Sequence, residues 1–252
     1  MTAAMIGVLA QAQEVSFPPS AFIPIAVGFL GLGTGYLIYG PQELFKLPGR
    51  DRAVDLATGI WGIWMPGFLQ FLTGVILFVG LAWLQSFRAP PLYMTALAFT
   101  AYGVHWWALG MSRAFGGDPR PNAFMSIPFT IISVLGVVVF FLAHDARVAG
   151  LFIGLTCVYV SEFFASLYVS PALVEAPRPD RSVPEPVASR RRRDLGATAE
   201  RALEFFHLAV GLWLMYLTWA AVLNIASGYH LPLWARGPTR RACGPTTEAI
   251  AH

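Results

Sequence analysis

Residues 93–115, YMTALAFTAYGVHWWALGMSRAF, set hydroxyls and an imidazole into an apolar run long enough to cross a bilayer as a helix rising ~1.5 Å per residue. Thr95, Tyr102 and His105 are spaced i, i+7 and i+10 and fall near one helical face, whereas Thr100 points to a different side. Polar groups at membrane depth cost free energy unless they find partners or face water. Two arrangements satisfy that demand. The hydroxyls bond back to their own helix with Tyr102 at a helix contact, or the face forms one wall of a narrow pathway for a small polar solute. His105 is three residues from Tyr102, so on a lumenal face its protonation would place a positive charge about one turn away, which would attract a carboxylate at low pH. The alternative is a neutral His105 hydrogen-bonded to a neighbouring helix.

Four further polar residues lie in apolar runs. Gln70 follows Pro66, whose ring removes a helical hydrogen bond and frees a carbonyl. The Gln70 amide both donates and accepts, which suits a carboxylate or amide solute and equally suits a bond across to another helix. Glu162 lies about a turn and a half from the end of its run and is expected to snorkel or pair with a basic loop residue. A hydrogen-bonded structural role is expected for His207, and for Asn224 a bond to a neighbouring helix. There is no nucleophile–base constellation, no phosphate-binding glycine loop and no helix-spaced pair of metal ligands. The sequence therefore predicts no enzyme, no catalytic residue, no metal and no cofactor.

The elements that carry these residues are membrane helices. The chain is 56% hydrophobic and 12% charged over 252 residues, against about 25% charged in a soluble domain. Its apolar residues gather into six runs, roughly Ala21–Tyr39, Leu56–Leu84, Leu92–Met111, Phe124–Ala143, Val148–Tyr168 and Leu203–Ala226. Each is too long and continuous for a transmembrane strand of ~10 alternating residues. The expected fold is an all-α polytopic membrane protein, with one six-helix domain over residues 21–228. Residues 1–20 lack the basic n-region of a secretory signal and are expected to be a flexible or interfacial segment. The Pro- and Arg-rich stretch 171–200 is expected to be a mobile loop, and the tail 229–252 to hold little regular structure. Two cysteines, Cys157 and Cys243, make no disulfide framework.

The loops after the first, third and fifth runs carry twelve Lys and Arg, against five on the opposite side. The positive-inside rule then sets both termini outside the cytoplasm of a cell inner (plasma) membrane. The net charge of +3 sits in loops, and Arg190–Arg193 suits anionic lipid headgroups rather than nucleic acid. Glycines at 28, 31, 33 and 35 and at 59, 62, 67 and 74 suit close helix packing.

Several segments resemble the acetate uptake transporter family, which includes the succinate–acetate permeases. Residues 67–74, GFLQFLTG, are similar to its GxxQxxxG, and residues 98–106, AFTAYGVHW, to its AFTSYGxFW. Phe140–Phe141, Ala146–Arg147–Val148 and Leu155–Thr156 resemble its FF…ARV…LT, and Tyr216–Leu217 with Val222–Leu223–Asn224 its YLxxxxVLN. The chain departs from the family where the NPAPLGL opening is replaced by Ser20–Ala21–Phe22–Ile23–Pro24, where Leu77 replaces a glutamate, His105 an aromatic and Glu162 a small apolar residue. A second resemblance links residues 115–121, FGGDPRP, followed by Ser126, to the FGxDxRPxxxxS loop of the proton-gated urea and amide channels.

The resemblance implies a six-helix protomer, assembled as a homo-hexamer, that passes a small-molecule solute such as acetate or succinate, with proton coupling plausible. It also implies a constriction formed by Phe29, Tyr102 and Leu155, with Gln70 as a polar pore contact and Thr100 joined through the shared motif. Two competing functions stay open. One is a urea or short-chain amide channel of the same fold. The other is a non-transporting accessory subunit of a larger membrane complex.

Overall fold

The computed structural model of the protein describes residues 24–168 and 187–227. The expectations for segment 1–20, for the tail 229–252 and for residues 171–186 lie outside these. The described residues form six helices and no strand: α1 Ile25–Leu44, α2 Arg52–Trp83, α3 Pro91–Phe115, α4 Pro121–Leu142, α5 Ala146–Leu167 and α6 Val187–Ser227.

Local chemistry sets their ends. Asp51 caps α2 by accepting from the Val54 N–H at 2.8 Å, and Asp145 caps α5 by accepting from the Val148 N–H at 3.1 Å. Proline opens both α3 and α4, where its missing N–H costs nothing. Gly116, at φ 74°, closes α3 in the left-handed conformation that glycine adopts without strain. Helix α2 is not regular throughout. It widens to π-helical turns at Ile63–Phe68, around Pro66, and again at Val79–Trp83.

Four of the six helices, α2, α4, α5 and α6, are long and apolar enough to cross a membrane. The two that fall short, α1 and α3, are the ones studded with glycines, tyrosines, tryptophans and His105, which lower their hydropathy. Several of these residues face inward, where Tyr36, Tyr102, His105 and Trp106 are all buried.

The helices pack in a closed ring, α1 on α2, α2 on α3, α3 on α4, α4 on α5, α5 on α6 and α6 back on α1. Small residues permit the closest of these approaches. A Cβ at Gly59 of α2 would lie 2.5 Å from the Gly110 oxygen of α3, and one at Gly110 would lie 2.6 Å from the Gly59 oxygen. Outside the ring, Ile60, Trp61 and Trp64 of α2 and Ile131, Val138 and Phe141 of α4 are exposed, an apolar exterior suited to lipid or to another subunit.

One expectation is corrected here. The last part of the stretch expected to be a loop is helical, because α6 begins at Val187, well before Leu203. Residues 187–203, VASRRRRDLGATAERAL, contain no proline and are rich in Ala and Arg, both good helix formers. Charge kept this segment out of the hydropathy pattern without opposing the helix.

Candidate functional site

Helical spacing delivers the polar side chains to the middle of the ring. Phe29, Tyr36 and Glu43 recur every seven residues on α1, and His207 and Leu214 do so on α6. Thr95, Tyr102 and His105 share a face of α3, while Leu155, Tyr159 and Glu162 share one of α5. These faces enclose two cavities.

The smaller cavity, of about 20 Å³, is lined by Phe29, Thr95, Tyr102, Leu155 and Leu214 among others. It has room for about one water molecule. Its one hydroxyl outside Tyr102, that of Thr95, donates to the Pro91 carbonyl of its own helix at 3.3 Å. The Phe29, Tyr102 and Leu155 side chains assigned by resemblance to a constriction thus meet on one apolar wall.

Tyr102 is held from two sides. Its hydroxyl lies 2.9 Å from Ser133 Oγ of α4, and Ser133 in turn donates to the Phe129 carbonyl at 2.7 Å, so Tyr102 is the donor. Its ring stacks on Tyr159 of α5 with centroids 5.6 Å apart and planes at 27°.

The larger cavity encloses about 370 Å³, and Tyr36, His105, Trp106, Tyr159 and Glu162 line its inner part. Here His105 Nδ1 is hydrogen-bonded to the Tyr159 hydroxyl at 3.2 Å, the bond to a neighbouring helix named above as one alternative. His105 Nε2 has no hydrogen-bond partner, and Glu162 Oε1 lies 3.8 Å from it. Glu162 is 6% exposed, so the expectation that it snorkels or meets a basic loop residue is corrected. The turn of α5 that carries it faces the ring interior.

The remaining charges of the cavity, the exposed Glu200 apart, are held in ion pairs. Arg113 donates to Glu43 at 3.0 Å, to Asp55 at 3.2 Å and to Gln42, and it lies over the Tyr39 ring at 4.5 Å. Glu43 also meets His207 Nδ1 at 3.3 Å, and His207 stacks on Tyr36 with centroids 4.9 Å apart. Lys46 donates to Glu204 at 3.3 Å, and Arg50 to Asp55 at 3.0 Å.

Two expected pore residues line neither cavity. Gln70 is wholly buried in α2, with no hydrogen-bond partner for either amide atom. Thr100 donates to the Ala96 carbonyl at 2.8 Å and packs against Gly74 of α2, on the side away from Tyr102 that its spacing indicated. Residues not singled out from the sequence are Tyr36, Glu43, Arg113 and Tyr159. The seven-residue recurrence with Phe29 marks the first two, and Tyr159 stands one turn from Glu162. For Arg113 no spacing signal exists, because its partners come from α1 and α2. Among the described residues no three His, Cys, Asp or Glu side chains converge in a way that could hold a metal ion.

This ring of helices is the fold of a known membrane channel. The bacterial acetate channel SatP superposes with a TM-score of 0.57 over 84% of this chain and 99% of that one, at 18% sequence identity. The likeness is therefore one of fold. Neither a protein-family profile nor a curated protein sequence matches the chain.

Proposed function

We propose that the protein is a multi-pass channel or transporter for small carboxylates in the cell inner membrane, with acetate and succinate as candidate solutes. The observation that carries the reading is the stacking of two spaces inside one helical ring. A polar cavity of about 370 Å³ abuts an apolar narrowing lined by Phe29, Tyr102 and Leu155. An apolar constriction resists bare ions by dewetting, while the polar chamber beside it replaces part of a solute's hydration. The likeness of fold to an acetate channel supports the same reading. On this proposal all six helices span the membrane, and the exposed apolar faces of α2 and α4 meet lipid or further copies in a homo-hexamer.

A urea or short-chain amide channel is the second reading. It is favoured by Glu162, whose buried carboxyl in the cavity suits a solute that donates hydrogen bonds. The test is uptake of labelled acetate, succinate and urea into liposomes carrying the purified chain. Acetate entering well above protein-free vesicles, without equal entry of urea, is the expected result. Urea entry insensitive to acetate would establish the second reading, and no uptake of any of the three would overturn both.

A further inference from the structure

Three cavity-lining polar atoms among the described residues, His105 Nε2, Tyr39 Oη and Trp106 Nε1, have no hydrogen-bonding partner, and of these His105 Nε2 is the one that faces a carboxyl group, that of Glu162. The His105 and Glu162 side chains are both more than nine-tenths buried. Their nearest polar atoms, Oε1 and Nε2, are 3.8 Å apart, too far for a direct hydrogen bond and close enough to be bridged by one small group. His105 Nδ1 is engaged by Tyr159, which fixes the ring so that Nε2 points away from that bond.

The neighbours do not satisfy them. From α1, Tyr36 and Glu43 share the cavity, and Glu43 is taken by Arg113 of α3 and His207 of α6. From α5 comes Tyr159, from α4 the uncharged Phe129 and Asn122, and from α6 the Glu204 already paired with Lys46. Arg50 is held by Asp55 of α2, and Glu200 is an exposed residue of the cavity lining.

We infer that Glu162 and His105 Nε2 form a two-point receptor for a carboxyl group together with one proton. The inference rests on the carboxylate reading above. The two oxygens of a carboxyl group lie closer together than 3.8 Å, so they span the couple side-on. One oxygen accepts from the His105 Nε2–H, and the other meets the Glu162 carboxyl. Two carboxylates in contact do not both stay ionised, and they hold a single proton between them. That proton arrives either on the solute or on Glu162. In both cases no covalent bond changes, and the complex contains one proton more than the two separated anions. A primary amide matches the same couple without a proton, its NH2 donating to Glu162 and its carbonyl accepting from His105.

The probes follow from this difference. Saturation-transfer NMR on the detergent-purified full chain reads acetamide binding and its displacement by acetate. In the wild type, acetamide binds alike at pH about 5 and about 8, while acetate displaces it at the lower pH and loses tenfold or more in potency at the higher, as carboxyl groups shed their protons. Glu162→Ala weakens acetamide binding about tenfold or more. Glu162→Gln, which keeps the shape and offers an N–H, lets acetate displace acetamide equally at both pH values. Equal displacement by acetate at both pH values in the wild type, or acetamide binding unchanged by Glu162→Ala, would overturn the inference. Uptake by the same proteins reconstituted into liposomes separates the two readings. Binding as described without uptake removes the channel and keeps the receptor, whereas uptake without pH-linked competition does the reverse.

Discussion

Tyr102 and Tyr159 belong to different cavities, and their rings stack at 5.6 Å, so this aromatic pair is the partition between the polar chamber and the apolar narrowing. Tyr102→Ala removes that partition. Acetate uptake is expected to rise or lose its size discrimination, at a stability cost of about 3–5 kcal/mol for a fully buried aromatic. Tyr102→Phe is the matched control. It keeps the ring and loses one hydrogen bond, for about 1 kcal/mol, because Ser133 still donates to Phe129. Uptake of acetate against propionate and butyrate, beside thermal unfolding in detergent, checks both. Unchanged rate and discrimination in Tyr102→Ala would show that solute does not pass here.

Arg113 gathers Glu43, Asp55, Gln42 and the Tyr39 ring from α1 and α2 onto the end of α3. Its side chain is only 8% exposed, so Arg113→Ala opens a buried gap and leaves Glu43 with His207 alone and Asp55 with Arg50 alone. A loss of about 3 kcal/mol is expected, or roughly 6 °C in Tm for a chain of this size. Arg113→Lys restores a charge but not the planar fork that serves three acceptors, so it recovers less than half. Full recovery by Lys in thermal unfolding would reduce the cluster to charge alone.

Two glycines separate packing from propensity. Gly110→Ala drives a methyl group into the Gly59 carbonyl, and the helices must part, at about 1–3 kcal/mol. Nothing lies within 4 Å of a Cβ at Gly150. Gly150→Ala on α5 should therefore stabilise by about 0.5–1 kcal/mol through the unfolded chain. Urea-induced unfolding of the two variants should shift in opposite directions.

The helices were legible because lipid demands long apolar runs, and the face of Thr95, Tyr102 and His105 was legible because 3.6 residues make a turn. The start of α6 was hidden because hydropathy scores the Arg190–Arg193 run as loop, whereas helix propensity does not penalise arginine. The meeting of Glu162 with His105 was hidden for another reason. It depends on the rotation of α5 against α3, which the packing of the whole ring sets, and no spacing within either helix records it. The same holds for Gln70, whose motif position is plain in the sequence while its burial away from both cavities comes from the placement of α2.

The division of labour between His105 and Glu162 yields the last prediction. His105 is packed among Phe129, Trp106 and Tyr159, with centroids 4.9, 6.4 and 5.5 Å away, and its Nδ1 is already bonded. It serves the couple through the Nε2–H, a donor whose loss weakens every bound state equally. Glu162 supplies the group that must share a proton with the solute. Acetate uptake should therefore fall as pH rises in the wild type. In His105→Phe it should drop about tenfold at every pH while keeping the same slope, the size expected for one lost hydrogen bond to a charged acceptor. In Glu162→Gln the slope itself should flatten. Initial uptake rates across pH about 5 to 8 in the three proteins decide the matter. A flat profile in His105→Phe, with the slope retained in Glu162→Gln, would move the proton from the carboxyl to the imidazole and make a charge on His105 the source of the pH dependence.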